Sequence, residues 1–558
     1  MVLTRGVIVV LGDRLSTQVR AAEIEIDNVY KSNLLMQRSF AVAAWNLLGV
    51  IEDQIFQLIM FEAEKLTRFR FEALTDNLLF IMRQPIYWLK ISCAPGGRIP
   101  DKYTVADYKA ASELLRLATE YNDFYKLFTY ASRGLIDVRL DAATLVPIGN
   151  IADDCRYEAY NRLIKPVNLG FTEDVLFDKQ DEIRRKILPT LRPQGEKFLY
   201  EINPSLVAFT IDALQPIFNQ RFSLPEHWTF LNYSISDFKK VFNATTALAF
   251  LQYSARVLAA QAGCPGGGFA ASLMITRKYE LINRLVRYTG LNREVIKSIT
   301  YDLTLGSNSI SDRQADPTQQ PIIPLTEDEF GIMPQLWINN AAERNFVVLL
   351  NKLPTKRHEY LSLVGLKEQI MRDHLKEGMV DKAWRTWFGR VPASGGLPDI
   401  DLAVIDDRER MCLLLELKWF IDPAEPRELL EKSEEITKGI SQLIKLRDAF
   451  NSGHDGLLTC LNVNSKYSLA LAVISANWIG LASAQHANVP VIREYHLLKK
   501  IASVASLRAL VAWLQARKYL PQEGVDYDVI WTESSVGRWK TKWYGIKPKL
   551  EDIEFLPL

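Results

Sequence analysis

By length, the 558-residue chain has room for about two to four domains, and 48% apolar with 24% charged residues is the balance of an ordinary globular protein. Its 67 Lys+Arg against 66 Asp+Glu leave a formal net charge of +1, which excludes nucleic-acid binding driven by bulk charge and makes any basic surface local. No apolar run is long enough to cross a bilayer, and the five scattered cysteines (Cys93, Cys155, Cys264, Cys412, Cys460) include no C-x-x-C pair, so no membrane partner, zinc site or disulfide framework is expected.

From the N-terminus, Val7–Leu11 is apolar but runs at once into Gly12-Asp13-Arg14, without a secretory pattern, and a reducing cytoplasmic location is the default. Residues 1–305 read as a mainly helical region. Ser39–Phe61, Phe69–Ile81 and Tyr108–Tyr130 carry apolar residues at three- and four-residue spacing. Pro95-Gly96-Gly97 and Pro193-Gln194-Gly195 mark breaks, and Gly263-Cys264-Pro265-Gly266-Gly267-Gly268 marks a loop. That loop lacks the Gly-Lys-Ser/Thr ending of a phosphate-binding loop, so a linker or tight turn is expected. Residues 306–340 read as an extended connector. Within it, Ile322–Leu325 and Phe330–Trp337 bracket Thr326-Glu327-Asp328-Glu329 as a hairpin beside the domain that follows. Residues 341–352 form a short helix entering that domain.

The chemistry concentrates further on. Pro398-Asp399-Ile400-Asp401 leads into the apolar run Leu402–Ile405, a polar turn Asp406–Arg410 follows, and Leu413–Lys418 closes with Glu416-x-Lys418. The pattern predicts a β-hairpin. Alternation puts Glu416 and Lys418 on one side of their strand and Leu415, Leu417 and Trp419 on the other. Two carboxylates and an ammonium then converge at the end of the hairpin. Mg²⁺ (or Mn²⁺) prefers oxygen ligands and keeps several waters, so one or two carboxylates plus substrate oxygens suffice to hold it. Asp401 and Glu416, with the Leu417 backbone carbonyl, are therefore candidate metal ligands. Lys418 would orient or deprotonate water for phosphodiester hydrolysis. Burying such charges unpaired inside an apolar strand would be costly, and a metal site removes that cost.

These residues resemble the motif of the PD-(D/E)XK nuclease superfamily, which includes restriction endonucleases, Holliday-junction resolvases and RecB-type nucleases. The resemblance covers residues 341–510 and implies a central mixed sheet flanked by helices, in the order helix, three-stranded meander, helix, strand. The matching segments are a helix at Leu366–Leu375, strands near Trp384–Val391, Ile400–Ile405 and Met411–Phe420, and a helix from Pro423 to Phe450. Apolar runs at Ser468–Ser475 and, after a small-residue helix, Val489–Ile492 complete it. On the family pattern Asp401 is the metal-binding acid, with Asp399 as the alternative ligand, and Glu416 and Lys418 are E-x-K. Glu368 is the helix acid, with Glu359 in reserve. Gln442 is the glutamine of the following helix, and Gly439 one turn earlier permits close approach to the sheet. The RecB branch places a tyrosine four residues after its glutamine; this chain has Leu446.

Residues 511–558 read as a helix followed by a tail in which Arg538-Trp539-Lys540-Thr541-Lys542-Trp543-Tyr544 interleaves basic and aromatic residues. Arg538, Lys540 and Lys542 are candidate nucleic-acid contacts, and a terminal strand completing a core is the competing reading. The expectation is thus an α+β multidomain protein, a large helical N-terminal region joined to a C-terminal α/β nuclease domain. The resemblance implies a metal-dependent nuclease, with DNA favoured over RNA and endonucleolytic action. By analogy with sensor-plus-nuclease layouts, defence against foreign DNA is a compatible role. The helical region would sense a partner, recognise substrate or mediate self-association. The alternative function is a non-catalytic nucleic-acid-binding or assembly protein on the same fold.

Overall fold

A computed structural model describes residues 16–58, 68–149, 153–163, 173–194, 197–220, 222, 224–264, 266–307, 310–392, 396–423 and 425–549. The fold is mixed α and β with several small sheets. The chain forms two compact units, both discontinuous in sequence. One comprises Met1–Val29, Glu120–Pro166 and Gly365–Leu558, the other Tyr30–Thr119 and Val167–Val364. The boundaries expected at 305, 340 and 510 do not coincide with these joins. The apolar run Val7–Leu11, the end of the run to Phe61, Gly195 and Pro265 lie outside the described residues.

The second unit is mainly helical. Its longest helix, Ile235–Gln261, starts from a capping box in which Ser234 and Asp237 satisfy each other's backbone N–H groups. It is buried around most of its circumference, the pattern of a helix at the centre of a bundle. Phe238 stacks on Phe346 at 3.8 Å between ring centroids. The hairpin expected in 306–340 forms between Ile322–Pro324 and Glu329–Ile332, and gains a third strand from Met274–Arg277. It belongs to this unit rather than to the sheet of the E-x-K motif. Its second arm stops at Ile332 instead of reaching Trp337. Pro334 has no N–H for a ladder and opens the helix Pro334–Ile338. The Pro193 break is itself a small hairpin, Arg192–Gln194 against Lys197–Leu199.

The first unit contains a five-stranded sheet. In sheet order its strands are Arg385–Gly389, Ile400–Asp406, Met411–Lys418, Ser468–Ser475 and Val491–Arg493. The first three form an antiparallel meander and the last two run parallel to Met411–Lys418. That middle strand is buried along seven of its eight residues, which accounts for its almost unbroken apolar sequence. The turn between the second and third strands is set by Asp406, whose Oδ1 accepts the Arg408 and Glu409 N–H groups at 3.0 and 3.2 Å.

Two helices flank the site. The helix carrying Glu368 runs Pro354–Glu377, a dozen residues earlier than its expected start at Leu366. The helix carrying Gln442 runs Pro426–Asn451, with Pro426 in its first turn and Glu425 at the N-cap. It therefore starts at the second acid-proline pair, Glu425-Pro426, and not at Asp422-Pro423. Either proline suits a first helical position, so the local signal recurs three residues apart. The small-residue helix expected before the last strand is only a single turn, Ala482–Ala484.

A second sheet in this unit joins distant segments. Strands Asp137–Asp141 and Thr144–Ile148 pair with each other, and Thr144–Ile148 runs parallel to Trp539–Pro548, which pairs with Tyr527–Val536. The expected basic and aromatic tail is therefore a hairpin strand. Trp539, Trp543 and Tyr544 are buried, with Trp543 edge-on to Tyr130 at 5.5 Å. These rings are core and do not form a surface for stacking bases. Arg538 pairs with Glu25 at 2.7 Å and Lys540 with Glu533 at 3.3 Å, while Lys542 points outward on an exposed position.

Candidate active site

The hairpin opens where the carboxylates sit. Its ladder ends at Leu402↔Leu415, and one residue beyond, the Asp401 carboxylate takes a hydrogen bond that a main-chain carbonyl would otherwise accept. Asp401 Oδ2 accepts the Leu417 N–H at 2.8 Å. This bond ties Asp401 to the peptide between Glu416 and Leu417. Asp399 lies just outside the strand and is exposed, but its charge reaches Asp401.

Glu416 and Lys418 are neighbours on one face of their strand, and Lys418 Nζ donates to Glu416 Oε1 at 2.7 Å. The Glu416 side chain is almost fully buried, whereas the Lys418 side chain remains 19% exposed. Gly439 sits over the pair. A Cβ there would lie 3.0 Å from Glu416 Cγ and 3.1 Å from Lys418 Cε, so this turn of the Pro426–Asn451 helix approaches the motif only because the side chain is missing.

Electrostatics bind the acids into one cluster. Burial, then the Asp401 charge, then that of Glu368 push the Glu416 carboxyl up to about 7, against the opposing pull of Lys418. Burial also raises Asp401, opposed by the Leu417 N–H and by the charges of Lys418 and Arg372. Glu368 is half-buried and raised as well, by burial and then by Asp401. Burial alone would lower Lys418, but Glu416, Glu368 and Asp401 outweigh it and hold the ammonium protonated. Glu368, rather than Glu359, is thus the helix acid whose field reaches Glu416 and Lys418. Gln442 is half-buried, one turn beyond Gly439.

Among the described residues, no three His, Cys, Asp or Glu side chains already surround a common point as a metal would require. The donor chemistry nevertheless fits a hard dication. Mutually repelling, partly desolvated carboxylates with raised pKa values are what a divalent cation relieves, and two of them suffice for an ion that keeps much of its water.

Three residues near the motif escape a reading of the sequence. Glu435 adds its charge to Glu368, Arg372 adds its charge to Asp401, and Phe388 lies beneath the Arg372 guanidinium at 4.0 Å. Helical spacing could have found two of them. Arg372 follows Glu368 by four residues and Glu435 precedes Gly439 by four. Phe388 carries no such signal, because its position depends on how the Arg385–Gly389 strand meets the helix. Compared with known proteins, the chain matches no family model, no curated protein and no solved structure.

Proposed function

We propose that the chain is a metal-dependent nuclease of the PD-(D/E)XK type, hydrolysing phosphodiester bonds with DNA as the favoured substrate. The observation that carries this reading is the Asp401 to Leu417 hydrogen bond, which holds one carboxylate at the open end of the hairpin beside the Glu416–Lys418 pair. The order of helix, meander, helix and parallel strand around it supports the same reading.

Asp401 and Glu416, with the Leu417 carbonyl, would hold Mg²⁺ or Mn²⁺. When bound, the ion supplies an acidified water and neutralises charge on the phosphoryl group. Lys418 is the residue to orient that water. Its raised pKa keeps it a donor at neutral pH, so of the two roles open to it from sequence, orienting fits better than deprotonating. Glu416, with its carboxyl near 7, can exchange a proton at neutral pH. Glu368 adds negative charge on the helix side and so favours a cation in the cluster.

The test is cleavage of single- and double-stranded DNA and RNA by purified protein in Mg²⁺, Mn²⁺ or EDTA. The reading predicts metal-dependent cutting by the wild type that is lost in Glu416→Ala and Lys418→Ala with folding intact. Cutting that persists in both variants would refute the assignment of the site.

A further inference from the structure

Arg372 lies four residues after Glu368, so both project from the same side of the Pro354–Glu377 helix. Its guanidinium carbon is 4.0 Å from the centroid of the Phe388 ring, and Lys376 Nζ approaches the same ring at 5.4 Å. Its charge acts on Asp401. Its Nε is buried without a hydrogen-bond partner, and among the described residues the guanidinium makes no hydrogen bond or ion pair. By contrast, Lys418 bonds to Glu416, and Lys432 bonds to Glu435 at 3.0 Å.

A guanidinium presents five N–H donors in a fixed plane and cannot be neutralised, so one left unmatched beside a carboxylate cluster is prepared for an acceptor from outside. The contact with the face of Phe388 restricts the guanidinium. The acceptor that suits it is the planar pair of non-bridging oxygens of a phosphate, which takes a bidentate bond.

On the nuclease reading above, we propose that Arg372 is a catalytic residue that binds the non-bridging oxygens of the phosphodiester attacked at Asp401 and Glu416, with Phe388 as its positioning residue. Arg372 then neutralises charge on the phosphoryl group, and the substrate class it selects is a phosphodiester rather than a carboxylic ester or a glycoside.

The test uses the full chain with fluorescent single- and double-stranded oligonucleotides. Binding is measured in Ca²⁺ against salt concentration, single-turnover cleavage in Mg²⁺, and Mn²⁺ affinity without nucleic acid. Arg372→Ala should lower the cleavage rate by about 100-fold or more and reduce the salt slope of binding by about one. Its Mn²⁺ affinity should be undiminished, since a cation has been removed from beside Asp401. Arg372→Lys should recover part of the rate. Phe388→Leu should lose about tenfold, while Phe388→Trp, which keeps a stacking face, should stay within about threefold of wild type. Cleavage by Arg372→Ala within about threefold of a cutting wild type would overturn the proposal. So would a loss of Mn²⁺ affinity in step with activity, which would make the residue structural. A wild type that neither binds nor cuts any oligonucleotide would instead remove the nuclease reading, and this inference with it.

Discussion

Each unit buries a cluster of opposite charges, and the two clusters differ in what remains unmatched. In the helical unit, Asp53 accepts from Arg256 at 2.6 Å, Arg256 also donates to Ser272 at 2.5 Å, and the guanidinium stacks on Phe56 at 3.9 Å. Beside it Glu52 accepts the Gln335 N–H at 2.9 Å, and burial lifts its carboxyl to about 8, so it is largely neutral at physiological pH. All three side chains lie in the core, and the arginine meets a carboxylate, a hydroxyl and a ring. In the sheet unit an arginine again stacks on a phenylalanine beside acids, but it meets no carboxylate at bonding distance, and Asp401, Glu368 and Lys418 stay partly open to solvent. The same ingredients close on one another in the core of the helical unit, whereas in the sheet unit the arginine has no carboxylate partner among the described residues and the cluster keeps access to solvent.

Substitutions should separate the two kinds of cluster. The largest effect expected is on cleavage: Glu416→Gln should cost about a thousandfold or more in rate without lowering the melting temperature. Arg256→Ala should do the reverse. Leaving Asp53 buried without its partner should destabilise the protein by about 3–5 kcal/mol in thermal or denaturant unfolding, while the folded fraction keeps its specific activity.

Gly439→Ala should fall between these extremes. The added methyl forces Glu416 and Lys418 to shift by a few tenths of an ångström, so a rate loss of about 10- to 100-fold should accompany a stability loss of about 1–3 kcal/mol. If activity and stability fall in proportion in this variant, the close approach of the helix serves packing alone.

Glu416 also gives the site a pH signature. Its carboxyl is raised from 4.5 to about 7 on folding, so between those values the folded state binds more protons than the unfolded state. The contribution to stability is therefore full below about 4.5 and declines as pH rises to 7, by roughly 3 kcal/mol in total without metal. Glu52 contributes a decline of the same sign up to about 8, so the difference between wild type and Glu416→Gln isolates the site. Metal affinity should move the other way, rising by up to about tenfold per pH unit below 7 and levelling off above it. A wild-type stability profile that matches that of Glu416→Gln across this range would contradict the environment assigned to Glu416.

The smallest effect is expected in the C-terminal hairpin. Lys542→Ala should change nucleic-acid affinity by less than about twofold. Trp543→Ala, by removing a ring packed on Tyr130, should cost about 3–5 kcal/mol of stability. A large loss of binding in Lys542→Ala would restore the tail as a contact surface.

What could be read in advance follows from the range of the forces involved. The strand Met411–Lys418 and its turn were legible because a buried strand needs an apolar run, and the Asp406 turn carries its own hydrogen-bonding side chain. The Glu416–Lys418 face was legible from alternation alone. The start of the Gln442 helix was misread because Asp422-Pro423 and Glu425-Pro426 carry nearly the same local signal, and tertiary packing chooses between them. The pairing of Thr144–Ile148 with a strand almost four hundred residues later has no local signature, nor has the Phe388 platform under Arg372. For the same reason the division of the chain into two discontinuous units could not be seen in composition shifts along it.

The most direct test of the central claim is a titration of Mn²⁺ into the wild type, Glu416→Gln and Arg256→Met at pH 8, followed by calorimetry or paramagnetic resonance. The account predicts a Mn²⁺ site in the wild type and in folded Arg256→Met that is lost or greatly weakened in Glu416→Gln. Equal Mn²⁺ binding by wild type and Glu416→Gln would contradict it.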